Sequence, residues 1–416
     1  MVSEETKAFV RSKQYLLYLI FFMGMVAVMD QYISTIKTTA IPLIVTEFGI
    51  TEAEFSWWEA VYLAPTFLIF ALNGLNDFIG RKWSILILML LMGIPSLAIV
   101  YFTPSFHLFM VFYGMAMFAT VSNMWTIPVS EEAPAEKRAK YVSIAYILGL
   151  IPLQAILPPV IIDVLGLHWK WMYGVMFIFM IPVFFLWLFM KETKRYDVIK
   201  QERQEGKRKK HFYGLGVINK ADVKYITFSA AIWICWLVNS FLFFWAGHYF
   251  QVLNDYTLTQ WSMVLLVTLI AAMIGGIISG KVMDKIGRTT ALIIGALGLA
   301  LSLSVWGFIP RILLPVIAPI SGFFISFSYT WIVVYVPEVF PTERRGSCMG
   351  WTTTVARISY VIGPMFAAVM LTISPTMELF WVAAGAVMLI PVALLLLFQP
   401  YETKVQELEV IERQRE

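Results

Sequence analysis

The chain has 416 residues, 59% hydrophobic and only 14% charged, about half the charged fraction of an ordinary soluble domain. A formal charge of +4 does not make a nucleic-acid surface, and two cysteines, Cys235 and Cys348, in or beside apolar segments imply no disulfide framework. The charges fall in short runs between apolar stretches of about 20 residues or more, enough to cross a hydrocarbon core near 30 Å thick, so the composition excludes a soluble globular protein and predicts a polytopic helical membrane protein.

The first stretch, MVSEETKAFVRSK, is too acidic and polar for a signal peptide, so the first apolar segment is expected to stay as a helix. In chain order the predicted helices are Tyr15–Val45, carrying Asp30 and Lys37, then Phe55–Leu75, Ser84–Phe102, Phe106–Val129, Tyr141–Leu165 and Trp171–Met190. Asp197 to Lys220, including KQERQEGKRKKH, reads as the one long polar linker. The second half repeats the layout with Ala221–Phe250, Trp261–Met283, Thr289–Phe308, Ile312–Val336, Ser347–Ile373 and Pro375–Phe398. Internal proline and glycine are frequent, as membrane helices tolerate when neighbours satisfy the backbone.

Short charged signatures recur between the halves. Asp77, Gly80 and Arg81 return as Asp284, Gly287 and Arg288, each displaced by 207 positions; Glu131, Pro134 and Arg138 return as Glu338, Pro341 and Arg345 at the same offset. An E-T-K triplet closes each half, Glu192–Lys194 and Glu402–Lys404, 210 apart. One order at one spacing marks a tandem repeat of about half the chain. The expected domains are 1–196 and 221–416, six helices each, with 197–220 between them. Basic residues gather on one side of the predicted helices (Arg11, Lys13, Arg81, Lys82, Lys137, Arg138, Lys140, the linker, Lys281, Lys285, Arg288, Arg344 and Arg345), with chiefly Lys170 and Arg311 on the other. The positive-inside rule then puts both termini and the linker in the cytoplasm, and an even helix count makes the halves parallel repeats.

On these motifs the chain resembles a major facilitator superfamily transporter, most of all the sugar-porter, organic-ion and aromatic-acid symporter cluster. The loop before the third helix matches that family's G-x-L-a-D-R-x-G-R-R pattern at Asp77, Gly80, Arg81 and Lys82, and the second copy matches at Gly280, Asp284, Lys285, Gly287 and Arg288. Asn73 stands where the family has glycine, and Phe78 where it has a basic residue. The resemblance implies twelve transmembrane helices in two pseudo-symmetric six-helix bundles, a small-molecule substrate, protons as the coupled ion, a monomer in the plasma membrane and no cofactor. It also implies a cytoplasmic gate of charged groups: Asp77, Gly80, Arg81, Glu131, Arg138 and Glu192, with Asp284, Gly287, Arg288, Glu338, Arg345 and Glu402. These charges would hold the inner ends together while the protein faces outward, or, more simply, set topology and solvate loops.

Ionisable groups inside apolar helices say more, because one at the bilayer centre costs about 2.5–3.5 kcal/mol on insertion scales and therefore faces a cavity or a partner. Asp30 lies midway along the first helix, Lys37 seven residues on and on nearly the same face, Glu59 in the second helix and Arg357 near the middle of the eleventh. MDQYISTIK resembles the D-G-x-D segment of aromatic-acid symporters, with Asp30 at the first aspartate and Ile33 at the second; the A-R-I setting of Arg357 resembles the helix-11 arginine of organic-anion carriers. A guanidinium can grip a carboxylate with two parallel hydrogen bonds. An arginine beside Asp30 would favour its ionised form, and a substrate anion on Arg357 would relieve that influence, so that proton and anion load together. Ion pairs Asp30–Arg357 and Lys37–Glu59 that serve packing alone are the plainer alternative. His248 is expected to be interfacial. Asn123, Trp125, Gln154, Asn239, Trp245, Tyr329 and Trp331 are candidates for the pocket wall.

The expected function is proton-coupled symport of a small organic acid by alternating access. Uniport or proton symport of a sugar or other neutral metabolite is the alternative, although ICWLVNSFLFFW lacks the Q-Q-x-S-G-type run of sugar porters; a non-transporting sensor or scaffold is a third. No G-x-x-x-x-G-K-[ST] loop or metal-ligand spacing is present, so neither an ATP-driven pump nor an enzyme is expected.

Overall fold

A computed structural model describes residues 11–70, 72, 79–120, 122, 124–134, 138–205, 218–340 and 345–403, and among them all regular structure is helical. The helix starts show why. Ser12 accepts the Tyr15 N–H at the start of α1 (Lys13–Thr35), which stops at Ile36 and is followed at once by α2 (Lys37–Phe48). Thr51 and Glu54 exchange cap hydrogen bonds at the start of α3 (Glu52–Leu63), which runs on as a 3-10 turn, Ala64–Leu68. Each such cap satisfies N–H groups that have no partner inside the helix. The first half continues with α4 (Arg81–Tyr101), α5 (Phe106–Ala119), α6 (Thr126–Glu132), α7 (Arg138–Gly149), α8 (Leu153–Pro159), a π-turn at Val160–Val164, α9 (Trp171–Phe189) and α10 (Lys194–Gln204).

In the second half α11 (Lys220–Phe243) opens on a reciprocal cap between Asn219 and Asp222 and passes through a turn at Ala246–His248 into a π-turn, Tyr249–Leu253. A third reciprocal cap, Thr257 with Gln260, starts α12 (Leu258–Ile286). Then come α13 (Arg288–Ser304), α14 (Leu314–Val339), α15 (Arg345–Ala356), α16 (Ser359–Ile373), α17 (Glu378–Val387) and α18 (Leu389–Phe398). Ten described stretches are long and apolar enough to cross a membrane, and Phe106–Ala119 is a shorter apolar one. With α3 and its 3-10 extension these make the twelve segments read from the sequence.

Several segments expected as one helix are two. The first breaks at Ile36, the fourth between Ala119 and Thr126, the fifth around Pro152, the seventh at Phe244–Trp245, the eleventh at Arg357–Ile358 and the twelfth at Met388. Pro152 has no N–H to carry a helix onward. At Arg357 the backbone N–H is shared between the Thr353 and Thr354 carbonyls at 3.1 and 3.2 Å, the tightened turn that ends a helix. The stretch expected as a polar linker starts inside helix α10, which runs to Gln204.

Two compact units emerge: Met1–Lys37 with Leu68–His211, and Thr38–Phe67 with Phe212–Glu416. In the first unit α1 packs on α7, and α4 on α5 and α9. The second unit repeats these pairings, α11 on α15 and α16, and α13 on α14 and α17. Its tightest pair is α12 with α14, and α3 lies along α16.

Candidate functional site

Asp30 lies on α1 and is 1% exposed. The indole of Trp125, in the break before α6, donates its Nε1–H to Asp30 Oδ2 at 3.0 Å. That indole lies parallel to the Tyr146 ring of α7, centroids 6.3 Å apart. Trp125, backed by Tyr146, thus fixes one carboxyl group, and a hydrogen bond to such a group is worth about 1.5–3 kcal/mol when the group is ionised. Gln154, at the start of α8, is buried, and its Oε1 accepts no hydrogen bond among the described residues. A buried amide oxygen in that condition is set up for water or a ligand.

Arg357 belongs to the second unit and is 2% exposed. It sits in the α15–α16 break, its guanidinium 4.7 Å from the centre of the Tyr360 ring, which in turn meets Phe241 edge-on at 5.0 Å. Asn239 on α11 donates from Nδ2 to the Ala384 carbonyl at 2.7 Å, while its buried Oδ1 accepts nothing among the described residues. Trp245 sits in the α11 break between Phe55 and His248. Tyr329 lies tilted against Trp236 with ring centres 4.4 Å apart, and Trp331, fully buried, stacks on Tyr335 at 4.5 Å. Lys37 and Glu59 are both buried, the first in unit one and the second in unit two. Asp30 and Arg357 are divided between the units in the same way. Asn123 lies outside the described residues.

Four of these side chains, Lys37, Trp125, Trp245 and Arg357, stand at or beside a helix interruption. Broken helices persist in membranes where the freed backbone is buried in protein or lines a cavity, and transporter sites are built from such segments.

The duplicated charges form two equivalent clusters. In the first unit Arg81 grips Glu131 through Nε and Nη2 at 2.8–3.2 Å, and Thr193 Oγ1 donates to the same carboxylate at 2.6 Å. Glu192 accepts the Arg81 and Lys82 backbone N–H groups at 2.8 and 3.3 Å, capping α4. Arg11 adds bonds to Glu132 Oε2 at 3.0 Å and to the Glu192 carbonyl at 2.7 Å. In the second unit Arg288 binds Glu338 through Nε and Nη2 at 3.2 and 3.0 Å, and Asp284 through Nη1 at 2.9 Å. Thr403 donates to Glu338 at 2.6 Å, and Glu402 accepts the Arg288 and Thr289 N–H groups at 2.8 and 3.1 Å, capping α13. Gly80 and Gly287 precede the capped helices at φ 95° and 106°, a region only glycine enters without strain. A Cβ at Gly80 would overlap Glu192, and one at Gly287 would come within 2.7 Å of Glu402. Asp77 lies outside the described residues, as do the side chains of Arg138 and Arg345.

Sequence reading grouped these acids and arginines but missed the division of labour. One glutamate caps a helix, the other takes the guanidinium, and a threonine joins them. The signal was available in the second letter of the duplicated E-T-K. Tyr146 and the His248–Glu52 pair, 3.5 Å apart, were also missed. Among the described residues no group of three His, Cys, Asp or Glu is placed to hold a metal.

A membrane-embedded helical repeat with buried ionisable groups at broken helices and a twice-built charge cluster is the class of protein so defined. The family model described as Major Facilitator Superfamily matches residues 20–320 and 254–415, and the chain belongs to that superfamily. It is similar to the synaptic vesicle 2-related protein of Rattus norvegicus, 35% identical over 149 residues, 35% of this chain and 26% of that one. It is also similar to the putative metabolite transport protein YdjK of Escherichia coli K12, 34% identical over 111 residues, 25% of this chain and 23% of that one. The matches thus span about a quarter of each relative's length. Among solved structures, the inward-open xylose transporter XylE from E. coli superposes with a TM-score of 0.75 at 19% identity, over 97% of this chain and 100% of that one, a likeness of fold.

Proposed function

We propose that the chain is a secondary transporter that carries a small organic acid together with a proton by alternating access, oriented with both termini in the cytoplasm. The observation that carries this reading is Asp30, a carboxyl group sealed within an apolar helix and held at one oxygen by the Trp125 indole. Burial at that depth is maintained against an insertion cost of about 2.5–3.5 kcal/mol, which a proton-binding role accounts for. Arg357, buried in the second unit, supplies the anion-binding fork. Asp30 takes the proton and Arg357 the substrate carboxylate, and neutralisation of both groups permits the change of access. The two charge clusters brace the inner ends of the units and serve as the cytoplasmic gate in this reading.

The test uses purified protein in liposomes with an internal pH dye, challenged in turn with benzoate-like acids, dicarboxylates, hexoses and polyols. Saturable, substrate-triggered acidification, absent from empty liposomes and abolished by Arg357→Ala, is the expected result. A specific observation favours a second reading: the fold likeness to a xylose transporter, together with the unfilled amide oxygens of Gln154 and Asn239, suits a polyhydroxylated neutral substrate. Uptake of labelled sugar with no proton movement would select it and leave Asp30 as a packing residue.

A further inference from the structure

The α2–α3 hairpin, Thr38–Phe67, packs within the second unit. Gly247 lies so close to the Thr38 carbonyl that a Cβ there would collide with backbone. Trp261 Nε1 donates to Thr39 Oγ1 at 3.2 Å, Phe55 meets Trp245 edge-on at 6.0 Å, and α3 runs along α16. His248 is held in this contact. It is 4% exposed, edge-on to Trp245 at 5.6 Å, with Nε2 3.5 Å from Glu52 Oε1. Its Nδ1 is buried and has no hydrogen-bond partner among the described residues.

A neutral imidazole suits this setting, with Nε2–H toward Glu52 and Nδ1 as a bare acceptor. Protonation adds an N–H at Nδ1 where nothing accepts it, and places a charge in a desolvated site. Glu52 offsets part of that penalty. Its side chain is 37% exposed, however, so water screens the attraction. On the elements packed around the imidazole, the other charged groups are Lys37 and Glu59, both buried, and Glu47, Glu54 and Asp255, all exposed. The α16 helix and the first turns of α12 carry no charge.

We propose that His248 is a proton-binding site that keeps the α2–α3 hairpin docked while neutral and releases it when protonated. The hairpin is covalently continuous with the first unit at Lys37–Thr38 and again at Phe67–Leu68, so its release detaches from the second unit a segment that the chain of the first unit enters and leaves. Linkage sets the sign. The released state takes up the proton, so docking is complete above the ordinary imidazole range near pH 6.5 and is lost as the pH falls below it. This goes beyond the transport reading, to which it adds a proton-released hairpin separate from Asp30.

The full-length chain in lipid nanodiscs, with Cys235 and Cys348 replaced by alanine, would carry nitroxides at the exposed positions Trp57→Cys and Val252→Cys. Electron–electron double resonance then reads the hairpin-to-helix distance at pH 8 and pH 5. The long-distance population is expected to rise about tenfold on acidification, the equivalent of one unit of linkage, and His248→Gln should stay docked at both pH values. No acid response in the parent, or the same response in His248→Gln, overturns the proposal. Should His248→Gln fail to fold, Glu52→Gln decides: loss of the one facing carboxylate must move release to higher pH, and an unchanged midpoint counts against the site. The distance needs no substrate, so this result stands apart from that of the liposome assay.

Discussion

At the residue scale, the bond from Trp125 to Asp30 is where a proton-carrying role for this carboxyl group can be tested against a packing role. Asp30 was legible in the sequence because a charge in an apolar run has to be explained. Trp125 was legible only as one aromatic among many; what singles it out is the 3.0 Å hydrogen bond across 95 positions of chain, which no local pattern encodes. If Asp30 carries the proton, Asp30→Asn abolishes proton-coupled accumulation and leaves exchange down a gradient. Trp125→Phe keeps the ring against Tyr146 and removes the donor. It should lower coupled uptake about tenfold, near the lower end of the 1.5–3 kcal/mol of a charge-assisted hydrogen bond, and shift the pH profile of uptake. A packing role predicts lost thermal stability in both variants and an unshifted pH profile in the second. Comparing the pH profile with the melting midpoint therefore separates the two.

At the scale of elements, the two helix-capping clusters make a sharper case. Repetition of Gly80–Arg81 and Gly287–Arg288 at one spacing was visible without coordinates, as was the repetition of E-T-K. That Glu192 and Glu402 reach across 111 and 114 positions to cap α4 and α13 was not, because capping by a distant side chain leaves no mark near the helix it caps. Helix breaks were hidden for a related reason. Apolar composition continues through TVSNMW and ARISYV, and hydropathy cannot tell a continuous membrane helix from an interrupted one. Gly287→Ala should lower stability by about 1–3 kcal/mol, combining strain at φ 106° with a Cβ crowding Glu402 at 2.7 Å. Gly280, seven residues earlier in the same motif, is the internal control. It is helical, and a Cβ there meets nothing within 4 Å, so Gly280→Ala should be neutral or gain up to about 1 kcal/mol of helix propensity. Thermal midpoints of both variants in one detergent check this, and equal losses would remove the capping argument.

At the scale of the molecule, the compact units do not follow the sequence repeat. The chain passes into the second unit at Thr38 and returns to the first at Leu68, so two helices that begin one repeat spend their far ends in the packing of the other. A tandem repeat can be read from spacing, but which ends of which helices pack together depends on conformational state, and one sequence encodes every state. The point most sensitive to that packing is Gly247 against the Thr38 carbonyl, where both sides are backbone and no side chain can swing aside. Gly247→Ala should therefore leave the helical turn at Ala246–His248 intact, since alanine favours helix, and displace the hairpin from it. Phe55 is 1% exposed and rests on Trp245, so a cysteine placed there is shielded while the hairpin is docked. In a background lacking Cys235 and Cys348, Phe55→Cys should react with a water-soluble maleimide at least about tenfold faster once Gly247→Ala is added, about 1.4 kcal/mol in the docking equilibrium. Unchanged labelling would mean that Thr38 yields locally and that the hairpin is no moving part. Faster labelling of the single variant at pH 5 than at pH 8, each rate divided by that of an exposed cysteine at the same pH to remove the loss of thiolate, would tie the same motion to His248.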